Sequence, residues 1–273
     1  MTQFIAAYDV ENAELCPKAL ERLVEVHEEA GVPATFFIVG RLLEQKRSEL
    51  RRLLDRPWAD LQSHTWSHKL LRDSLMHGPG VPPAEAKEEI VRGKRSVEDA
   101  FGRRCTGLRS GCGFNGGLKG RPDLLEIAVG CGLSFISTDL RGPGDSIPAP
   151  LKEPYRYVED GFPGLWELPG HGWHDNVLKL GDGKMLTIAW PPLEPWFIPP
   201  APPKTPREEA AIYRVWLDQG VARGLPYVSL VWHPWSHYRF APGGETVRWT
   251  LEYVSSRGLE TTTYGAWAAA HAA

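Results

Sequence analysis

Short apolar runs alternate with longer amphipathic stretches along most of this chain. Residues 4–9 (FIAAYD) are apolar at nearly every position and too few for a helix, which predicts a buried strand. In LERLVEVHEEA, Leu20, Leu23, Val24 and His27 fall on one face at three- and four-residue spacing. That pattern predicts a helix which Pro17 opens in its first turn and Gly31 closes. Residues 34–39 predict a second strand, 41–54 a second helix with a charged outer face, and 60–63 a short third strand. After a loop with Gly-Pro-Gly and Pro-Pro (78–83) come a helix over 84–101, a strand starting at Leu108, a helix over 122–130 and a strand over 133–138. Residues 166–168 and 227–232 complete about seven strands. Strands alternating with helices imply a parallel sheet with crossover helices, the pattern of an α/β barrel.

Residues 142–206 break this rhythm. They are crowded with proline (PPLEP, PPAPPK) and carry Trp166, Trp173, Trp190 and Trp196. Proline fixes φ and removes a backbone donor, so long helices are excluded here, while a disordered linker would lack the tryptophans. The segment is expected to be an ordered excursion covering one end of the barrel; an oligomer interface is the other use for such a surface. With no internal repeat and no second core in sight, residues 1–273 are expected to form one domain, a length that suits a single barrel.

Composition narrows the partners. A hydrophobic fraction of 42% with 11 Trp builds a large core without disulfides, and a net charge of −3 argues against a nucleic-acid partner. No apolar run approaches a membrane span. The start, MTQFIAAYDVEN, lacks the basic residues and cleavage site of a secretory signal. Cys16, Cys105, Cys112 and Cys131 are scattered without a CxxC pair, which predicts free thiols and a cytoplasmic protein.

Polar residues collect at predicted strand ends. Asp9 and Glu11 are two apart on an extended chain, so both carboxylates can face one site. His64 and His68 follow the third strand; in a helical turn they would lie about 5–6 Å apart, a spacing that suits one metal ion. Two imidazoles and a carboxylate leave open coordination positions, as a catalytic site needs. Arg109, Asp139 and His233 also end strand-like runs, and in a parallel barrel such ends converge on one mouth. An iron oxygenase would use a similar ligand set, but on an all-β fold that this alternation contradicts.

The segments GVPATFFIVG, LQSHTWSHKLL, EEIVRGKRSVEDAFGRRCTGLRSGCGF and SLVWHPWSH, in this order, resemble the successive motifs of the polysaccharide deacetylase family, carbohydrate esterase family 4. The resemblance covers most of residues 4–139 and returns near 225–240. It implies a distorted (β/α)7 barrel, similar to a TIM barrel, with one divalent ion, usually zinc, at its mouth. It further implies His64 and His68 as metal ligands, Asp9 as catalytic base, Arg109 as the residue orienting that base, and His233 as catalytic acid. Where the family usually has a second aspartate the neighbour is Val10, leaving Glu11 as the third ligand. This spacing is similar to the branch of peptidoglycan-deacetylase-like and cofactor-independent allantoinase-like proteins. The N–H of Cys112 is implied to face the developing oxyanion. Gly111 stands where the family usually has proline, and would leave that loop freer.

Asp139 matches only loosely, and is expected either to buttress Arg109 or to cap the next element. Trp235, beside His233, is a candidate substrate wall, as is Trp66 beside His68. His171 and His174 either line the mouth or are loop residues; His27 belongs to a helix face, and His77 and His271 to the surface. The implied reaction is hydrolysis of an amide, most simply an N-acetyl group on a sugar or small molecule. A cyclic amide, ureide or formamide is the alternative substrate, and a non-catalytic carbohydrate-binding relative the third reading.

Overall fold

The structure, a computed structural model, describes residues 1–179 and 199–272. Its elements run β1 Gln3–Val10, α1 Leu15–Ala30, β2 Ala34–Ile38, α2 Gly40–Leu54, β3 Ala59–Ser63, α3 Pro83–Phe101, β4 Gly107–Phe114, α4 Pro122–Gly130 and β5 Phe135–Asp139. There follow β6 Tyr155–Tyr157, β7 Phe162–Glu167, α5 Asp175–Leu178, α6 Pro206–Ala222, β8 Tyr227–Trp232, α7 Pro234–Phe240, α8 Glu245–Ser256, β9 Glu260–Thr262 and α9 Tyr264–Ala270.

The sheet order is β6-β7-β5-β4-β3-β2-β1-β8, with β9 also on β1. Neighbours pair in parallel except β6 with β7. Seven strands (β1 to β5, β7 and β8) thus form the distorted (β/α)7 arrangement. The open side between β7 and β8 is bridged after β7 by His171, which pairs in parallel with Leu230. Its backbone N–H donates to Ser229 O at 2.7 Å, and its Nδ1 accepts from Ser229 N at 3.1 Å. His171 is therefore part of the wall, not of the mouth.

Strand alternation divides the core into layers. Phe4, Ala6, Tyr8 and Val10 of β1 pack outward with helix residues such as Leu20, Leu23, Leu42 and Leu53. Ile5 and Ala7 point inward, with Phe37, Phe135, Leu168 and Tyr227. Tyr264 and Trp267 of α9 join that inner cluster. Asp9 continues the inward series of β1, so the same alternation that fills the barrel brings a carboxylate to its open end.

The excursion is only partly described. Its first part supplies the β6–β7 hairpin and the single turn α5, consistent with the exclusion of long helices. Trp173 is fully buried in the outer core, while Trp190 and Trp196 lie outside the described residues. The segment ends where α6 starts at Pro206, closed by a capping box between Thr205 and Glu208. All four cysteines are free. Among the described residues no helix is long and apolar enough to cross a membrane.

Candidate metal centre and catalytic site

Asp9 is 4% exposed, and its Oδ1 accepts from Arg109 Nη1 at 2.8 Å. Arg109, fully buried, sits over the Phe37 ring with its guanidinium 4.1 Å from the centroid, and its Nη2 donates to Ser137 Oγ at 3.1 Å. This leaves Asp9 Oδ2 facing His64 Nε2 at 3.8 Å and His233 Nε2 at 3.9 Å. Burial pushes the Asp9 carboxyl up, but Arg109, with His64 and His233, holds it below its ordinary value.

Glu11, two residues on, turns to the same side. Its Oε2 lies 2.9 Å from His68 Nε2 and 3.6 Å from His64 Nε2. Burial raises this carboxyl too, yet His233, His64 and His68 together bring it well below the usual range. The ring centroids of the two imidazoles lie 4.7 Å apart. The turn is not helical: Thr65 and His68 both adopt left-handed backbone conformations (φ 59° and 64°). The bend is held by Thr65 Oγ1, which accepts from His68 N at 3.0 Å, and by the buried Glu89 of α3, which accepts from Ser67 N at 2.8 Å. Gly93 lets α3 lie this close, since a Cβ there would sit 2.5 Å from the Thr65 carbonyl carbon.

His64 gives the test of whether a cation fits. Its Nδ1 lies 3.0 Å from Arg109 O, and because a carbonyl only accepts, Nδ1 carries a proton, so that in the neutral ring the lone pair sits on Nε2. The bare nitrogen is buried and has no hydrogen-bond partner. A buried lone pair without a donor is costly unless something electron-poor occupies the space in front of it. The ligand atoms of Glu11, His64 and His68 all lie within 4.8 Å of one another, so the donor set fits a divalent ion with positions to spare.

His233 caps the start of α7, and its Nδ1 is 2.6 Å from Asp175 Oδ1, which also accepts the His233 backbone N–H at 3.0 Å. Asp175, fully buried at the start of α5, is the residue that sequence reasoning missed. Burial lowers the His233 pKa but Asp175 more than offsets it, and the imidazole is raised to about 9. Asp175 in turn stays ionised because Lys179 Nζ lies 2.9 Å from its Oδ2. The same ammonium is 2.9 Å from Glu209 Oε1 of α6, and Glu209 also accepts from Tyr213 and Thr246. Replacing Lys179 with methionine would leave two fully buried carboxylates without their shared cation. The expected cost is about 3–5 kcal/mol of stability, measured by denaturant unfolding at neutral pH.

The remaining candidates are placed as follows. Cys112 is half-buried with φ 66°, and its carbonyl accepts from Arg141 Nε at 2.7 Å. The loop it belongs to is not left loose by Gly111: a Cβ at that position would lie 2.8 Å from His68 O, so glycine serves close packing against the histidine loop. Asp139 does not meet Arg109, which was one of its two expected roles. Its Oδ1 accepts from Gly116 N and Lys152 Nζ (3.0 and 2.6 Å) and its Oδ2 from Tyr155 OH, so it ties β5 to neighbouring loops. Being 2% exposed, it offers little to a substrate. Trp66 faces outward between Arg92 and Glu44. His174 is buried with Nε2 3.0 Å from Leu140 O, and His27 bonds Tyr8 OH and Val32 O. His77 and His271 are exposed.

Glu11, Asn12, His68, Trp235 and Arg239 line a cavity of about 330 Å³. A larger cleft of about 630 Å³ lies between α3 and α4, lined by none of the candidate residues.

Residues 8–121 match the polysaccharide deacetylase family model. No curated protein matches the chain by sequence. Among the solved structures that share the fold are the following three. A protein of Mycobacterium smegmatis assigned as a polysaccharide deacetylase has a TM-score of 0.68 at 18% identity, covering 99% of this chain and 91% of its own. The Puue allantoinase has a TM-score of 0.66 at 13% identity, covering 98% and 90%. A CE4-family pseudoenzyme from Bacillus anthracis has a TM-score of 0.54 at 14% identity, covering 97% and 66%.

Proposed function

We propose, from the match of residues 8–121 to the polysaccharide deacetylase family model, that this chain is a metal-dependent hydrolase of a non-peptide amide bond. Its proposed substrate is an N-acetylated sugar or a related small molecule. The observation that carries the reading is the bare, buried Nε2 of His64, turned toward Glu11 beside His68.

Glu11, His64 and His68 would hold one divalent ion, zinc by the family's habit, which when bound supplies Lewis-acid polarisation of a carbonyl and makes water more acidic. The chain's own groups do the rest. Asp9, ionised and pinned through Oδ1 by Arg109, takes the proton of the attacking water on Oδ2. His233, protonated because Asp175 holds its Nδ1–H, gives the Nε2 proton to the departing amine. The N–H of Cys112 is the proposed donor to the developing oxyanion, with Arg141 on the Cys112 carbonyl fixing that residue. Both proton-carrying groups are present, which weighs against a binding-only role.

Residues 1–273 are read as one domain, with 142–206 contributing to the mouth. Asp175 and Lys179 support this, since both come from that segment, Asp175 bonding His233 and Lys179 pairing with Asp175. Four free thiols support a cytoplasmic setting. A second substrate class, a cyclic amide or ureide, is suggested by the likeness in fold to an allantoinase. Zinc-loaded protein offered N-acetylglucosamine, its short oligomers, allantoin and hydantoin side by side, with acetate release and ring opening both followed, separates the classes. Turnover of none of them supports the binding-only reading. Full turnover by chelator-treated protein would sink the metal dependence.

A further inference from the structure

We infer that Trp235 is a positioning residue for the Glu11 carboxylate, so that the indole sets how tightly the centre holds its ion. The inference rests on the metal reading proposed above. Trp235 is the second residue of α7, and its Nε1–H donates to Glu11 Oε1 at 2.8 Å. The other oxygen, Oε2, is the one that faces His68 and His64. One carboxylate is therefore divided between two tasks: Oε1 is tethered to the helix that follows His233, and Oε2 is offered to the cation space.

The tether matters because the acid here is a glutamate. Its extra methylene adds a rotatable bond, and an untethered carboxylate would have to be ordered when an ion binds. A donor on the far oxygen removes much of that freedom beforehand. An indole suits the task, since it can donate but can neither ligate a cation nor accept a proton. The ring itself is held: half-buried, it packs against the outer core, with the Arg239 guanidinium 5.2 Å from its centroid and the His233 ring 5.8 Å away. Arg239 and Trp235 both line the cavity beside His68, so the indole also forms its wall. The spent N–H means that a substrate meets the face of the ring rather than its donor.

The test is zinc affinity, measured by competition with a chromophoric chelator on the purified full chain, without substrate. Trp235→Phe keeps an aromatic wall and removes the donor; Trp235→Gln returns a donor and removes the wall. Groups that orient metal ligands are worth about 10–100-fold in affinity, so the Phe variant is expected to bind zinc weaker by that factor. The Gln variant should fall between it and the parent, with metal-free thermal midpoints of all three close together. A Phe variant that binds zinc like the parent, while KM alone rises, overturns the inference and leaves Trp235 a substrate wall. A parent that binds no zinc overturns the centre itself, and the tether with it.

Discussion

His64→Ala is expected to remove zinc binding and turnover together, with a rate loss of at least about 10³-fold for any substrate the parent accepts. Lewis-acid activation contributes several kcal/mol to such reactions, and each 1.36 kcal/mol is a factor of ten. His64 is the sharpest choice of the three proposed ligands because its Nε2 has no hydrogen-bond partner and is buried, while His68 is partly exposed. The substitution also removes the bond to Arg109 O, so some destabilisation accompanies it, about 1–3 kcal/mol for the unsatisfied carbonyl. His27→Ala separates the two effects. It deletes another fully buried imidazole, bonded to Tyr8 and Val32, on the far side of β1 from the site. The His27 variant should lose stability yet retain zinc and turnover. Zinc binding by the His64 variant at the parent's affinity would end the ligand assignment.

Much of this architecture was legible in the chain because the signal is periodic. Apolar runs bounded by helical stretches mark parallel strands, and the helix over 122–130 begins and ends in the structure where the pattern puts it. The convergence of Asp9, Glu11, His64, Arg109 and His233 follows from one rule about strand ends, and the structure brings these five together. Local geometry was less legible. The bend at Thr65–His68 depends on left-handed backbone at two non-glycine residues, which no spacing rule announces, and Glu89 on a distant helix stabilises it. Gly111 misled for a related reason: glycine suggests freedom, but the tight approach of His68 is a tertiary fact.

Asp175 escaped altogether. It lies in GHGWHDN, where the two histidines draw attention and prove structural, and no periodicity survives among the prolines. One signal was available in principle. A histidine that must act as an acid needs an acceptor on its other nitrogen, a carboxylate or a backbone carbonyl; only the fold says which.

Asp175→Asn puts that partnership to its strongest test, through the pH profile of turnover. An asparagine keeps an acceptor for Nδ1–H but removes the charge that opposes burial, so the His233 pKa must fall. Asp9 is held below the ordinary carboxylate value, so the base form is present over the whole range above it, and activity is lost only as pH falls through that depressed pKa. His233 is held above the ordinary imidazole value, so the acid form persists until pH rises through about 9. The same shift stabilises the fold fully below the unfolded imidazole value near 6.5, and that stabilisation is lost as pH rises through about 9. In the variant the alkaline limb should therefore move to lower pH, while the acid limb, set by Asp9, stays. At pH 8 the rate should drop by about 10²-fold or more, the range that a positioned general acid supplies, and the deficit should shrink as pH is lowered. A bound cation would lower the His233 pKa further, so the imidazole titration itself is best followed by NMR on metal-free protein, parent beside variant. An alkaline limb that overlays the parent's, with the imidazole titrating unchanged, would strip Asp175 of any part in proton delivery.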